Sequence, residues 1–204
     1  MTDAFALLRL PRRPWLEAGE LQARFHQLSA ELHPDRLRHL PDAERVAAES
    51  RYSALNTAYQ LLRDPKQRLG HLLELELGAR PAEMREIPPA LSDFFFALGP
   101  VLREVDAFLA RRDAESSPLL RVQWFERGME WDDKLRESQA RVQEMHTALE
   151  TELRGLGDAW PAHTNTATPS VEGTLPRLGE IYRALSLLGR WQSQLQERLM
   201  KLVA

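Results

Sequence analysis

The fold is decided by residues 18–36, AGELQARFHQLSAELHPDR, in which an amphipathic segment runs into a proline. Apolar side chains recur in this stretch at spacings of four, three and four, at Leu21, Phe25, Leu28 and Leu32. This spacing places them on one face of an α-helix over residues 18–32. Pro34 ends the helix, because the residue before a proline is pushed out of the α-helical region. The sequence therefore predicts a helix that stops at the tripeptide His33-Pro34-Asp35.

The segments around this helix are also helical in pattern. A second long helix is predicted from Pro41-Asp42 to Asp64-Pro65, a shorter one over residues 66–77 and a short one over residues 4–8. Two long helices joined by a short loop favour an antiparallel hairpin with the apolar faces together. The loop that contains His33, Pro34 and Asp35 is then expected at the tip of the hairpin, and Phe25 in its core.

The rest of the chain is predicted to form a second helical part. Residues 79–88 contain Pro81 and Pro88 and are interpreted as a linker. Amphipathic patterns over residues 90–112, 119–156 and 175–202 predict a three-helix bundle, with a kink or break at Gly99-Pro100. Residues 155–174 are predicted as a mobile surface loop. The predicted fold class is all-α, with a helical hairpin and short flanking helices over residues 1–78 and the bundle over residues 89–204.

Composition excludes several classes of function. The formal net charge is −3, whereas a general nucleic-acid binder carries a basic excess. The chain has no cysteine, which excludes disulfides and thiolate metal sites. No apolar run reaches membrane-spanning length, so we predict a cytoplasmic protein that is not associated with a membrane.

The tripeptide His33-Pro34-Asp35 has three possible roles. A zinc site needs three or four ligands, and the surrounding sequence does not offer them. A catalytic pair needs a nucleophile or a pocket, and the sequence has neither a Gly-x-Ser-x-Gly motif nor a glycine-rich phosphate loop. A contact loop for another protein fits a position at the tip of a hairpin. We therefore predict a protein that is not an enzyme and needs neither a metal nor another cofactor.

The two long helices resemble those of the J domain, the module that activates DnaK-like chaperone ATPases. The resemblance rests on residues 25–36, FHQLSAELHPDR, and on residues 55–65, LNTAYQLLRDP. J domains have an aromatic-x-x-Leu helix that runs into His-Pro-Asp-Lys/Arg, followed by a helix with Asn-x-Ala-Tyr-x-x-Leu. The resemblance implies that a DnaK-like ATPase is bound through the tripeptide and the basic side chains around it: Arg24, His33, Pro34, Asp35, Arg36 and Arg38.

Two further motifs resemble HscB-type proteins, the J-domain co-chaperones of iron–sulfur cluster assembly. Residues 5–11, FALLRLP, are similar to the start of those proteins, and residues 62–73, LRDPKQRLGHLL, to a second family motif. A helical bundle also follows the J domain in that family. The resemblance implies that the bundle holds an iron–sulfur scaffold protein and that the ATPase partner is of the HscA type.

The candidate scaffold-binding residues lie in the first helix of the bundle. They are Phe94, Phe95, Phe96, Leu98 and Glu104. Three successive aromatic residues on a helix cannot all face one side, so we expect one or two in the core and the remainder exposed. Two alternatives stay open: a J-domain protein for a different client, and a helical interaction protein that does not stimulate an ATPase. A homodimer is also possible.

Overall fold

The computed structural model describes residues 2–32, 41–79, 87–115, 118–160 and 169–203, with only the backbone at residues 118–122 and 169–172. These residues form seven helices and no strand, which confirms the all-α prediction. The helices are α1 (Ala4–Leu7), α2 (Ala18–Glu31), α3 (Asp42–Arg63), α4 (Pro65–Leu77), α5 (Pro89–Ala114), α6 (Pro118–Asp158) and α7 (Pro169–Val203). None of the described helices is long and apolar enough to cross a membrane.

Local residue types set both ends of α4. The Asp64 carboxylate accepts a hydrogen bond of 2.7 Å from the backbone N–H of Gln67, and Pro65 is the first helical residue. A carboxylate cap followed by proline is a favoured helix start, because it satisfies one free N–H group and the proline ring fixes φ. At the other end Gly78 has φ of 72°, a left-handed conformation that glycine adopts without steric cost.

The chain divides into two compact units, and the first is built from two stretches of sequence. It comprises residues Met1–Ala82 and Glu150–Tyr182. Residues 150–182, which the sequence division assigned to the bundle, therefore belong by their contacts to the N-terminal part. The boundary predicted at residues 79–88 stays a prediction, since residues 80–86 lie outside the described residues.

Two glycines allow close packing inside the first unit. A Cβ atom added at Gly70 would lie 2.8 Å from the Tyr182 ring, and one added at Gly157 would lie 2.5 Å from Trp15 Cβ. Both distances are shorter than carbon–carbon contact. The N-terminal helices and the adjoining ends of α6 and α7 can therefore approach more closely than a larger residue would permit.

The second unit comprises residues Glu83–Leu149 and Arg183–Ala204, and its core joins α5, α6 and α7. Leu98 and Val105 of α5, Leu135 of α6 and Leu188 of α7 are all buried in this core. The prediction at Gly99-Pro100 was a kink or a break, and continuous core packing along α5 explains why a break does not occur. The helix continues through Pro100. This proline is exposed, so water can reach the carbonyl that loses its N–H partner.

The loop predicted over residues 155–174 is also corrected in part. Residues 155–158 continue α6, and residues 169–174 belong to α7. Trp160 is only 4 % exposed, so the segment just after α6 is anchored in the first unit and is not a mobile surface loop. Residues 161–168 lie outside the described residues.

Candidate functional site

Most of the predicted chaperone-binding residues cannot be placed. His33, Pro34, Asp35, Arg36 and Arg38 lie outside the described residues. The structure describes the helix before these residues and the helix after them. α2 ends at Glu31 and α3 begins at Asp42, so these two helices flank the predicted contact segment in the sequence.

An aromatic pair holds these two helices together. The rings of Phe25 on α2 and Tyr59 on α3 stack with centroids 4.3 Å apart and an interplanar angle of 19°. Leu28, about one turn from Phe25 on α2, and Leu55, about one turn from Tyr59 on α3, are buried. The sequence predicted Phe25 in the core of the hairpin. Its side chain is half-buried, so it lies at the edge of the core.

Arg24 is the one predicted chaperone-binding residue that the structure describes. Its guanidinium donates a hydrogen bond of 3.1 Å to the Gln27 side chain. No carboxylate among the described residues lies within ion-pair distance of it, and Glu31 is instead 3.9 Å from Arg9. The positive charge of Arg24 is therefore available to an acidic group on a partner.

Sequence reasoning missed the residues that fix the N-terminal segment against α4. His71 Nε2 accepts a hydrogen bond of 3.0 Å from the backbone N–H of Ala4, and the imidazole stacks on the buried Phe5 ring at 5.7 Å. Burial lowers the pKa of His71 below its usual value, although the carboxylates of Asp3 and Glu74 oppose this. His71 therefore binds its proton less readily in the folded chain than in the unfolded one.

Arg68 makes a second connection to the N-terminal segment. The side chain is 3 % exposed and donates hydrogen bonds to the carbonyls of Pro14, at 3.0 Å, and Leu62, at 2.7 Å. It also lies over the Trp15 ring at 5.4 Å from the centroid. Burial lowers the pKa of Arg68 to about 10, so the guanidinium remains charged at neutral pH. The motif over residues 62–73 thus has a structural role, which its two buried polar residues, Arg68 and His71, perform.

The candidate scaffold-binding residues occupy different environments. Phe94 packs on the bundle core, with its ring centroid 5.3 Å from that of Trp191. Phe95 is 38 % exposed and stacks against the same Trp191, whereas Phe96 is 72 % exposed. The expected division of the three rings between core and surface is therefore observed, with Phe96 as the exposed member.

The other two candidate residues are Leu98, which is buried, and Glu104, which is exposed. Leu98 is 2 % exposed and supports the bundle core, so its side chain does not reach the surface. Glu104 is exposed and lies two turns further along α5. Beside Phe94 and Leu98 is an open cleft of about 370 Å³, lined by the charged residues Asp93, Lys134, Glu137 and Arg141. Leu98 lines the base of this cleft, whereas Phe96 does not belong to it.

No metal centre is found in the described parts of the chain. Over these ranges no group of three or more His, Asp or Glu side chains is placed to hold a metal ion.

Known proteins resemble this chain in sequence and in fold. The DnaJ domain family matches residues 3–70. A co-chaperone protein HscB homolog from a species of Azoarcus is 27 % identical over 206 residues, which cover 97 % of this chain and 93 % of that protein. Another, from Aromatoleum aromaticum, is 38 % identical over 73 residues, which cover 36 % of this chain and 41 % of that protein.

Two solved structures share the fold. Chaperone HscB from Vibrio cholerae aligns with a TM-score of 0.58 at 19 % identity and 96 % coverage of both chains. The human co-chaperone protein HscB aligns with a TM-score of 0.56 at 18 % identity, covering 98 % of this chain and 81 % of that one. The likeness extends over both the N-terminal part and the bundle.

Proposed function

We propose, since this chain is a J-domain protein of the HscB type, that it is a co-chaperone of iron–sulfur cluster assembly. It stimulates ATP hydrolysis by a DnaK-like chaperone of the HscA type and delivers an iron–sulfur scaffold protein to that chaperone. The observation that carries the proposal is the DnaJ-domain match over residues 3–70, which includes His33-Pro34-Asp35, within a full-length match to an HscB homolog.

The chaperone contact uses the segment between α2 and α3. His33, Pro34 and Asp35 bind the ATPase, and Arg24, Arg36 and Arg38 add positive charge that complements an acidic surface. The available guanidinium of Arg24 and the Phe25–Tyr59 stack that holds its helix support this assignment. The protein supplies no catalytic group. It accelerates hydrolysis by binding the hydrolysis-competent conformation of the chaperone better than the resting one.

The scaffold contact uses the exposed start of the bundle. Phe96 exposes most of its ring, and Phe95 supports it from one side with a centroid distance of 5.5 Å. An exposed aromatic residue backed by a second ring is typical of an anchor in a protein interface. Leu98 contributes by fixing the helix, and Glu104 provides an acidic contact about two turns further along α5.

Single-turnover ATP hydrolysis by a DnaK-like chaperone tests the first contact. We expect the wild type to accelerate hydrolysis and Asp35→Asn to remove the acceleration while leaving the melting temperature nearly unchanged. Asp42→Asn is the matched control, because it also neutralises an exposed carboxylate near the tripeptide. The chaperone assignment would be refuted if the wild type did not accelerate hydrolysis. It would also be refuted if Asp35→Asn accelerated hydrolysis as much as the wild type.

The second contact is tested by adding an iron–sulfur scaffold protein to the same assay. We expect synergy with the wild type and a clear loss of synergy with Phe96→Ala. Met200→Ala is the control, since Met200 is 59 % exposed and lies near the end of α7. Acceleration without any scaffold effect would indicate a J-domain protein for a different client. No acceleration at all would indicate a helical interaction protein.

A further inference from the structure

A second exposed apolar surface lies in the bundle near the end of α5. It is a half-open groove of about 760 Å³ between the last turns of α5, the first half of α6 and the end of α7. Phe108 and Trp124 form its floor, with ring centroids 5.4 Å apart. Phe108 is 12 residues beyond Phe96 on the same helix, which corresponds to about 18 Å at the rise of an α-helix. The groove is therefore separate from the proposed scaffold contact.

The walls of the groove are apolar and exposed. Phe125 and Met129, one turn apart on α6, are 69 % and 57 % exposed, and Val203 of α7 is 80 % exposed. Gly128 lies between the first two, and a Cβ atom there would come 3.9 Å from the Phe108 ring. The glycine thus leaves the aromatic floor accessible from outside. Clustered apolar exposure of this kind marks interaction surfaces.

The end of α7 forms one wall of the groove, and a hydrogen bond from α5 holds it in place. The Arg112 guanidinium donates a hydrogen bond of 3.3 Å to the backbone carbonyl of Leu202. This contact satisfies a carbonyl in the last turn of the helix, where no intrahelical donor is left. The groove is consequently formed before any partner binds, which lowers the entropic cost of binding.

The charges around the groove have an acidic excess. Its described lining residues include four carboxylates, at Asp113, Glu115, Asp132 and Asp133, and two guanidinium groups, at Arg112 and Arg136. Both guanidinium groups are already paired, Arg112 with Asp113 and Arg136 with Asp132. Asp133 forms no ion pair with another described residue. An incoming surface would therefore meet apolar walls and, among the described lining residues, more carboxylates than guanidinium groups.

We propose that this groove docks an amphipathic helical segment of another protein, with apolar side chains on one face and Lys or Arg at the edges of that face. The apolar face fills the space between Phe125, Met129 and Val203, as in other helix-in-groove complexes. The basic edges pair with the acidic rim. A second copy of this chain is disfavoured as the occupant, because two such rims would bring like charges together.

Panning a phage-displayed library of random peptides on the full chain tests the proposal. The peptides should be about three helical turns long. We expect enrichment of sequences with apolar residues at three-and-four spacing and an excess of Lys and Arg. A labelled peptide from the enriched pool is then titrated with the protein by fluorescence anisotropy.

Three variants locate the binding site of that peptide. We expect the double variant Phe125→Ala, Met129→Ala to weaken binding about ten-fold or more, since aromatic anchors dominate such interfaces. Asp133→Lys should weaken it less, and the difference from wild type should shrink at high salt. Phe96→Ala is the matched control and should bind as the wild type does. Circular dichroism of each variant verifies that the fold is retained.

Several outcomes would overturn the proposal. These are no enrichment, an enriched pool without basic excess, or equal binding to the wild type and the double variant. Sedimentation supplies the remaining test: a wild-type dimer that the double variant converts to a monomer would identify a second copy as the occupant and refute a basic partner. None of these results depends on ATPase stimulation, so they are distinguishable from a failure of the proposed function.

Discussion

Replacing Gly157 by alanine tests the close approach of α6 to the segment that precedes α2. The added Cβ atom would lie 2.5 Å from Trp15 Cβ and 3.2 Å from the Trp15 backbone nitrogen. The carbon–carbon optimum is about 3.5–4 Å, and neither atom can be moved by a side-chain rotation. Overpacking of this kind costs about 3 kcal/mol at the upper end of its usual range. Alanine regains up to about 1 kcal/mol through its helix propensity, so we expect a net loss near 2 kcal/mol.

Gly155→Ala is the matched control, two residues earlier in the same helix. Gly155 is exposed and has no atom within 4 Å of the position of the added Cβ. Only the higher helix propensity of alanine then acts, and we expect the free energy of unfolding to rise by up to about 1 kcal/mol. The two variants should therefore differ by about 3 kcal/mol in the free energy of unfolding. For a chain of this size that corresponds to roughly 6–12 °C in Tm.

Thermal unfolding by far-ultraviolet circular dichroism, with urea titration as a second measure, decides the question. Gly157→Ala should melt below the wild type and Gly155→Ala at or above it. If the two variants melt together, the packing of α6 on Trp15 is not as described, and the reasoning fails.

Three further predictions concern single contacts. Because burial lowers the pKa of His71, the unfolded chain binds more protons just below about pH 6.5, so stability falls as pH falls through that range. His71→Gln should flatten this part of a pH series of urea midpoints, and an unchanged slope would contradict it. Arg177→Ala removes the two hydrogen bonds, of 2.6 and 2.8 Å, to the half-exposed Glu152 carboxylate. It should cost about 0.5–1 kcal/mol in dilute buffer and nearly nothing at high salt, whereas a salt-independent loss would exclude an ion-pair origin. Phe25→Ala should cost less than the roughly 3–5 kcal/mol of a fully buried phenylalanine, because Phe25 is half-buried against Tyr59. A larger loss in urea titration would place Phe25 deeper in the core.

Local patterns predicted the helices well where caps and periodicity agree. Leu21 and Leu28 recur on the buried face of α2, Asp64-Pro65 separates α3 from α4, and Gly78 follows the end of α4. Each of these signals acts within a few residues, so it can be read from a single sequence. The geometry of three successive aromatics likewise predicts that one ring is exposed, but only the structure identifies Phe96 as the most exposed of the three.

Packing between distant segments could not be predicted in this way. Gly99-Pro100 was expected to kink or break α5; a break does not occur, because burial of Leu98 and Val105 outweighs one missing backbone hydrogen bond. Gly157 and Trp160 were assigned to a loop because glycine and proline around them indicate one locally. Gly157 packs against Trp15, more than a hundred positions earlier in the chain, and a contact over that distance leaves no periodic signal.

The packing of Gly157 and Tyr182 on the N-terminal helices has a consequence for how this J domain can be handled. A fragment that ends at residue 78 would carry Trp15 and Gly70 without the helix ends that cover them. Such a fragment should expose apolar surface and be prone to aggregation, although it contains every motif of its family. This J domain is therefore not expected to fold stably when it is transferred as residues 1–78 alone. Grafting it onto another protein would require residues 150–182 as well.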